Sequence, residues 1–378
     1  MENENIKSEL LKNHPDYKEH QEPWIRMVKV DNVRRGIPLL VRVSALLGAM
    51  LTGAIIILAM GSNPVLVYTA MITESLGSPS VLRETIRIAI PLLITGLGIA
   101  LAFKMRFWNI GAEGQIIAGG VAASYFALFW NGYLPYPMLL IVMFIAAVVA
   151  GGIWGMIPAI FKSKWNTNET LFTLMLNYIA LEGLRYLQYG PWRDPRAFGF
   201  PIISPFPAEA RLPTLFGVHI GWIIALLLVV LVHIYMKKSK QGYEISVVGE
   251  SVQTARYAGI NVNLVYLRTM FISGAIAGIT GYVTVAGANG TISEEFTGGV
   301  GFTAITVAWL AKLNPVAMIV ISCFLAILDK GSGPLVNSFG IPSSVAGIIT
   351  GLFLFFMLGS EFFLNYRLVF RKKEEIKN

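Results

Sequence analysis

Asn109, Glu113 and Gln115 carry the chemistry most readily read from this chain. They sit in the run Asn109-Ile110-Gly111-Ala112-Glu113-Gly114-Gln115, between stretches of almost continuous apolar sequence. A carboxylate and two amides can bond the hydroxyls or ring edges of a polar solute. They can equally satisfy an irregular backbone segment, because hydrocarbon offers exposed peptide groups no water. Gly111, Ala112 and Gly114 are small enough for the backbone to bend and pack closely there. Asn109 also suits the cap of a following helix. Asn177 lies inside a second apolar stretch and must face protein or water. Phe302 and Trp309 lie in a third, where aromatic faces can stack on a flat ring or simply pack.

The elements that must hold these residues are membrane spans. The chain is 55% hydrophobic and only 14% charged over 378 residues, whereas soluble domains are about a quarter charged. About 20 apolar residues cross a bilayer as a helix. By that rule spans are expected near 39–61, 84–103, 110–130, 137–161, 169–188, 217–236, 265–287 and 343–364. Residues 299–330 are interrupted by Lys312-Leu313-Asn314-Pro315 and read as two short helices joined by a tight turn. The fold class expected is an all-α polytopic membrane protein of about ten segments, with eight to ten admissible. Asn168 and Glu169 suit the start of one of these helices, by capping and by the helix dipole. Glu182 and Arg185, three apart, form a natural ion pair.

Residues 1–38 form a polar N-terminal segment, 39–365 the transmembrane part and 366–378 a basic tail. Trp24 to Val30 mixes basic and apolar residues and reads as an interfacial helix; residues 1–20 read equally as an unstructured tail. The first apolar run starts near Leu39, behind a long polar segment, which speaks against a cleavable signal peptide. Basic residues such as Arg34, Lys104, Arg106, Lys162, Lys237, Lys312 and Arg371 cluster on alternate loops. With an even number of spans this puts both termini in the cytoplasm. Two loops differ from the rest. Residues 190–216 carry six prolines from Pro191 to Pro213 and cannot form a helix. Residues 237–264 hold Gly242, Gly249 and Gly259 around Glu250 to Ala258, which reads as a short helix and is a docking candidate for a soluble partner. A weak internal echo, a small-residue break followed by a Gly-rich apolar run, links 103–120 to 286–308 and fits repeated transporter halves.

Several function classes are excluded. The formal charge of +8 comes from short clusters between spans, the pattern of membrane orientation, so nucleic acid is not the partner. The single cysteine, Cys323, excludes a disulfide framework or Cys-rich metal site. His14, His20, His219 and His233 lack metal-ligand spacing. A Gly-x-x-x-x-Gly-Lys phosphate loop, a Gly-x-Ser-x-Gly elbow and a metal-binding acidic pair are all missing from the sequence. An enzyme is not expected, and no cofactor is assigned to this chain. A non-transporting scaffold leaves mid-span polar groups unexplained. An ion-coupled secondary transporter would need an embedded carboxylate, for which Glu113 or Glu182 would serve.

The run Phe107-Trp108-Asn109-Ile110-Gly111-Ala112-Glu113-Gly114-Gln115 resembles the signature of permease subunits of nucleoside ABC importers, within the ribose-type and branched-chain amino acid-type permease group. Asn168 to Ile179 is similar to that family's fifth-span motif. Gly249-Glu250-Ser251 through Ala255-Arg256 and Gly259-Ile260-Asn261 resembles its cytoplasmic coupling segment, and Gly299 to Ala308 its Gly-rich run. The likeness covers roughly residues 40–365. Trp309 and Ala311 depart from it, standing where the family more often has small or leucine residues and a glycine. The resemblance implies a permease in the bacterial cytoplasmic membrane, paired with a second homologous permease. A cytoplasmic ATPase that uses the ATP would bind 242–261, through Gly242, Gly249, Glu250, Ala255, Arg256 and Gly259, and an extracytoplasmic binding protein would deliver the solute. Asn109, Glu113, Gln115, Asn177, Phe302 and Trp309 would line the pathway. A simple sugar or a riboflavin-like compound is the alternative cargo.

Overall fold

A computed structural model describes residues 25–29 and 36–370. Thirteen α-helices run through the described residues. In chain order they are α1 (Ile37–Ala59), α2 (Pro64–Leu76), α3 (Pro79–Lys104), α4 (Ala112–Phe129), α5 (Tyr136–Trp165), α6 (Glu169–Tyr189) and α7 (Gly221–Lys238). They continue as α8 (Lys240–Glu250), α9 (Val252–Tyr257), α10 (Val262–Val283), α11 (Val300–Leu310), α12 (Pro315–Asn337) and α13 (Ser343–Asn365). Seven of the described helices are long and apolar enough to cross a membrane: α1, α3, α5, α7, α10, α12 and α13. The expected spans 110–130 and 169–188 are present as α4 and α6 but lie outside that set. Both carry polar and charged residues that the fold keeps largely inside or paired.

The helices begin where small polar residues can accept the orphan N–H groups of a first turn. Ser78 caps α3 ahead of Pro79, Asn168 accepts from Thr170 and Leu171 to start α6, Ser239 caps α8 and Asn261 caps α10. At its C-terminal end α5 stops on Asn166 in the left-handed conformation, φ 50°. Helix α10 continues into a π-helical turn, Thr284–Asn289.

The described residues divide into two compact units, 53–354 and a smaller one made of those up to 52 together with 355–370. In the larger unit α10 lies at the centre, packed on α5, α4 and α3. Gly274 and Gly278 on α10 cross Gly151 and Gly155 on α5, and Gly119 of α4 meets Gly278 from another side. A side chain at these positions would enter the backbone of the neighbouring helix. Such small-residue crossings replace the hydrophobic drive that lipid removes. In the smaller unit Gly48 of α1 lies against Phe356 of α13, and Arg42 pairs with Glu361 at 3.6 Å.

The structure corrects several expectations. Where an interfacial helix is expected, β1 (Ile25–Lys29) is extended and pairs antiparallel with β4 (Tyr366–Phe370), Ile25 opposite Phe370. Alternating apolar and basic residues suit a strand as well as a helix edge over five positions, and the partner lies at the far end of the chain. The same pairing makes the start of the expected tail a strand; residues 371–378, like 1–24 and 30–35, lie outside the described residues. Residues 299–330 do hold two helices joined by a tight turn, but only the first is short: α11 has 11 residues, whereas α12 has 23 and ranks among the long apolar helices. Helix α2 has no counterpart in the expected spans, since 13 residues are too few to register as one. The Pro-rich segment 190–216 is ordered by an Arg193–Ile203 bridge, a turn of 3-10 helix at Ala208–Ala210 and the start of a small hairpin, β2 (Thr214–Leu215) with β3 (Val218–His219).

Candidate functional site

The polar run before and within α4 is folded against three neighbours. Between α3 and α4 the chain turns through Arg106 with φ 56°, and the first turn of α4 is left with unpartnered N–H groups. Side chains of α6 take them up. Thr173 Oγ1 accepts from the Ile110 N–H at 3.2 Å, and Asn177 Oδ1 accepts from the Gly114 N–H at 2.8 Å. Asn177 Nδ2 donates back to the Ile110 carbonyl at 2.9 Å. Asn177 thus bonds one donor and one acceptor of the broken segment and is itself buried.

Asn109 and Gln115 pair with each other. Their amides exchange two hydrogen bonds of 3.3 Å, and Asn109 Oδ1 also accepts from the Gly111 N–H at 3.0 Å. Asn109 Nδ2 reaches Ser273 of α10 at 3.5 Å, and that hydroxyl donates to the Gly98 carbonyl of α3 at 2.7 Å. Asn109 is 0% and Gln115 1% exposed. Both side chains, expected to line a pathway, are buried in this structure, where they join α3, α4 and α10. Asn109 does not cap α4 by the usual N-cap bond, since Gly111 occupies that position; its bond to Gly111 closes the turn just before it.

Glu113 reaches the other broken segment. Its Oε2 accepts from the Gly301 N–H at 2.7 Å, in the first turn of α11. An anion at a helix N-terminus satisfies orphan donors and the helix dipole together. The two segments of the sequence echo, 103–120 and 286–308, thus meet at the starts of α4 and α11.

A cavity of 480 Å³ opens beside this contact, lined among others by Glu113, Asn177, Tyr178, Glu294, Thr297 and Phe302. On α6 the exposed residues Leu171, Met175, Tyr178, Glu182, Arg185 and Tyr189 recur at helical spacing and form one face. On α11 Phe302 and Trp309 are 44% and 43% exposed. Phe302 faces the cavity. Trp309 instead stacks on Trp108, ring centres 5.6 Å apart, with Phe103 at 5.8 Å. The expected Glu182–Arg185 pair is present at 2.7 Å, and Arg185 also binds Glu294 at 2.6 Å, joined by the Tyr189 hydroxyl at 3.2 Å. Sequence reasoning missed Glu294, Thr173, Trp108 and Phe103. Trp108, next to Asn109, and Thr173, inside the Asn168 to Ile179 run, had a signal in the motifs; Glu294 and Phe103 had none as site residues.

The short helix expected over Glu250 to Ala258 is present as α9, and a second helix, α8, precedes it in the same segment. The two meet at Ser251, which ends α8 and caps α9 by accepting from the Thr254 N–H. Gly242 lets the α7–α8 turn close on the Tyr235 and Met236 carbonyls. Gly249 lies on the backbone of Lys104 and Met105 at the end of α3. Ala255 is buried, whereas Glu250, Arg256 and Tyr257 are exposed. Gly259 takes φ 74° after α9. Arg268 of α10 holds α8 through Glu244 at 3.0 Å. A second cavity, of 320 Å³, has Lys104, Trp108, Gly249, Glu250 and Trp309 in its walls. It connects the α8–α9 pair to the aromatic stack.

Comparisons with known proteins place the chain in a family. Residues 81–358 match the family described as branched-chain amino acid transport system / permease component. The chain is 36% identical to the glucose ABC transporter permease protein TsgB13 of Haloferax volcanii, over 86% of this chain and 88% of that protein. It is 32% identical to the guanosine ABC transporter permease protein NupP of Bacillus subtilis, over 87% of this chain and 95% of that one. A second guanosine permease protein of B. subtilis, NupQ, is 27% identical over 66% of this chain and 81% of its own length.

Proposed function

From its membership of the branched-chain amino acid transport system / permease component family, this chain is an ABC importer permease, a multi-pass protein of the cytoplasmic membrane, and we propose that it carries a nucleoside. The cavity between α4, α6 and α11 supports that cargo best. Tyr178 and Phe302 offer ring faces for a base, and Glu113 and Glu294 offer acceptors for ribose hydroxyls beside them. The likeness to the guanosine permease NupP points the same way. The likeness to the glucose permease TsgB13 favours a second reading, a simple sugar, whose apolar ring face would use the same aromatic residues.

The seven long apolar helices, with α4, α6 and α11, would make ten membrane segments. Both termini would then be cytoplasmic, with Lys104, Lys162, Lys237 and Lys312 on that side. A second permease would cover the exposed face of α6 and complete the pathway, as the presence of two matching permeases in one organism suggests. A separate ATPase would dock on α8–α9 through Glu250 and Arg256 and use the ATP; this chain would bind no cofactor. A binding protein would deliver solute at the opposite face. Movement of α8 would reach the pathway through Gly249, the end of α3 and the Trp108–Trp309 stack.

The test is uptake of labelled guanosine, uridine and glucose in cells with and without this chain, before and after ATP depletion at constant proton gradient. Loss of ATP-dependent nucleoside uptake on deletion is expected. Loss of glucose uptake alone would replace the cargo and keep the machinery. Glu250→Ala and Arg256→Ala should uncouple hydrolysis from uptake while the protein still inserts.

A further inference from the structure

The transport reading leaves unused a cavity of 430 Å³ on another face of the larger unit, between α3, the β2–β3 turn, α7 and α12. Its α3 wall is a single helical stripe from Pro79 through Leu82, Ile86 and Ile90 to Leu93. Trp222 and Ala225 of α7 and Cys323 of α12 form other walls. Ser322 also borders it, but that hydroxyl is already bonded to the Ile319 carbonyl at 3.0 Å. A nucleoside or sugar would leave its hydroxyls unsatisfied in such a space.

Arg83 is the charged residue among those lining it. Its side chain lies over Gly217, whose φ of 81° shapes the β2–β3 turn, and Arg87 fixes that turn by donating to the Gly217 carbonyl at 2.8 Å. Arg83 is exposed, and among the described residues no carboxylate pairs with it. The depth is also informative. Leu93 is near the middle of the 26-residue α3. Ten residues separate it from Arg83, roughly 15 Å of helix, which is about half the hydrocarbon thickness of a bilayer. Arg83 therefore stands at headgroup level when Leu93 stands at the midplane. Phe216, exposed at the tip of the turn, lies at the same level.

We propose that this cavity is a phospholipid site, with one acyl chain lying along the α3 stripe and the phosphate on the Arg83 guanidinium. The apolar walls take the hydrocarbon, and the guanidinium supplies the donors a phosphate oxygen needs. The lipid would wedge between α3 and the α7–α12 wall, away from the proposed solute pathway.

The full chain, delipidated in detergent, is titrated with phosphatidylglycerol, and alkylation of its single cysteine, Cys323, by N-ethylmaleimide is followed. Lipid at about ten times its half-saturating concentration should slow alkylation about tenfold, since only the unoccupied fraction reacts. Ala225→Trp fills the cavity and should abolish the effect of lipid; Arg83→Gln should weaken protection by phosphatidylglycerol but not by diacylglycerol. Native mass spectrometry of the wild-type chain should find one retained phospholipid, which needs no variant to fold. Alkylation that ignores lipid, or equal lipid retention by wild type and Ala225→Trp, would overturn the proposal.

Discussion

Asn177→Ala separates a framework role from a solute-contact role at the one mid-span amide that borders the proposed pathway. In the structure its two polar atoms are both engaged, Oδ1 with the Gly114 N–H at 2.8 Å and Nδ2 with the Ile110 carbonyl at 2.9 Å. Alanine would leave a buried donor in the first turn of α4, where no intrahelical acceptor exists, and a buried carbonyl before it. In water-soluble proteins each such orphan costs about 1–3 kcal/mol. Hydrogen bonds between membrane helices average about 0.6 kcal/mol, with a maximum near 1.7. Those figures bracket the pair between roughly 1 and 6 kcal/mol, and the rigid geometry of a broken helix favours about 2–4 kcal/mol. The assay is thermal unfolding of the detergent-purified chain followed by tryptophan fluorescence, beside uptake kinetics in reconstituted vesicles. The expected result is a lower unfolding midpoint, a lower maximal rate in proportion to folded protein, and an unchanged KM. Unchanged stability with a raised KM would refute the argument and place Asn177 in contact with solute.

Three other outcomes are expected. Gly278→Leu should remove monodisperse protein from size-exclusion profiles, because its side chain would meet the backbone of Ala147 on α5 and no rotamer can avoid it; overpacking of this kind costs about 3 kcal/mol or more. Arg268→Glu should destabilise the chain and Glu244→Arg with Arg268→Glu should restore much of the loss, measured by the same unfolding assay, since the two side chains pair while mostly covered. Trp309→Ala should cost only about 0.5–1.5 kcal/mol beyond its burial, so that insertion and folding persist. Uptake per ATP hydrolysed should nevertheless fall if the stack on Trp108 transmits movement of α8.

Much of the frame was legible in the residues themselves. Ser78 before Pro79, Asn168 before Glu169 and Asn261 before Val262 mark helix starts by local capping chemistry, and the apolar lengths between them set the long helices. The Asn109–Gln115 run announced either a broken segment at membrane depth or a polar pathway, since amides and a carboxylate there need partners. What stayed hidden depends on contacts between distant residues. No local pattern ties Thr173 to Ile110 or Glu294 to Arg185. The helix α8 ahead of the expected one, and the cap at Ser251 between them, were not legible because serine suits the middle of a surface stretch as well as a cap; only the Thr254 N–H reveals its role. The strand Ile25–Lys29 was missed for a similar reason, since its partner lies about 340 positions away. For the site, the motif residues were found but their division of labour was not: burial decides it, and burial is a property of packing.

That division has a consequence for where specificity lies. Asn109, Gln115 and Asn177 use their polar atoms on one another or on the backbone of α4, and Glu113 uses one oxygen on α11. Replacing any of them perturbs the joint between two broken helices before it perturbs a solute. Side chains with no polar partner to lose that face the cavity lie instead on α6 and α11, at Leu181 and Phe302, with the Tyr178 ring beside them. Their backbones are ordinary helix or turn, so changing them costs little stability. Cargo preference can therefore shift through Tyr178 and Phe302 with the joint intact, and Phe302→Leu should alter relative uptake of nucleoside and sugar without moving the unfolding midpoint by more than a cavity-scale effect of about 1 kcal/mol. A matched drop in stability and in uptake of every solute would return Phe302 to the frame and leave specificity to the partner subunit.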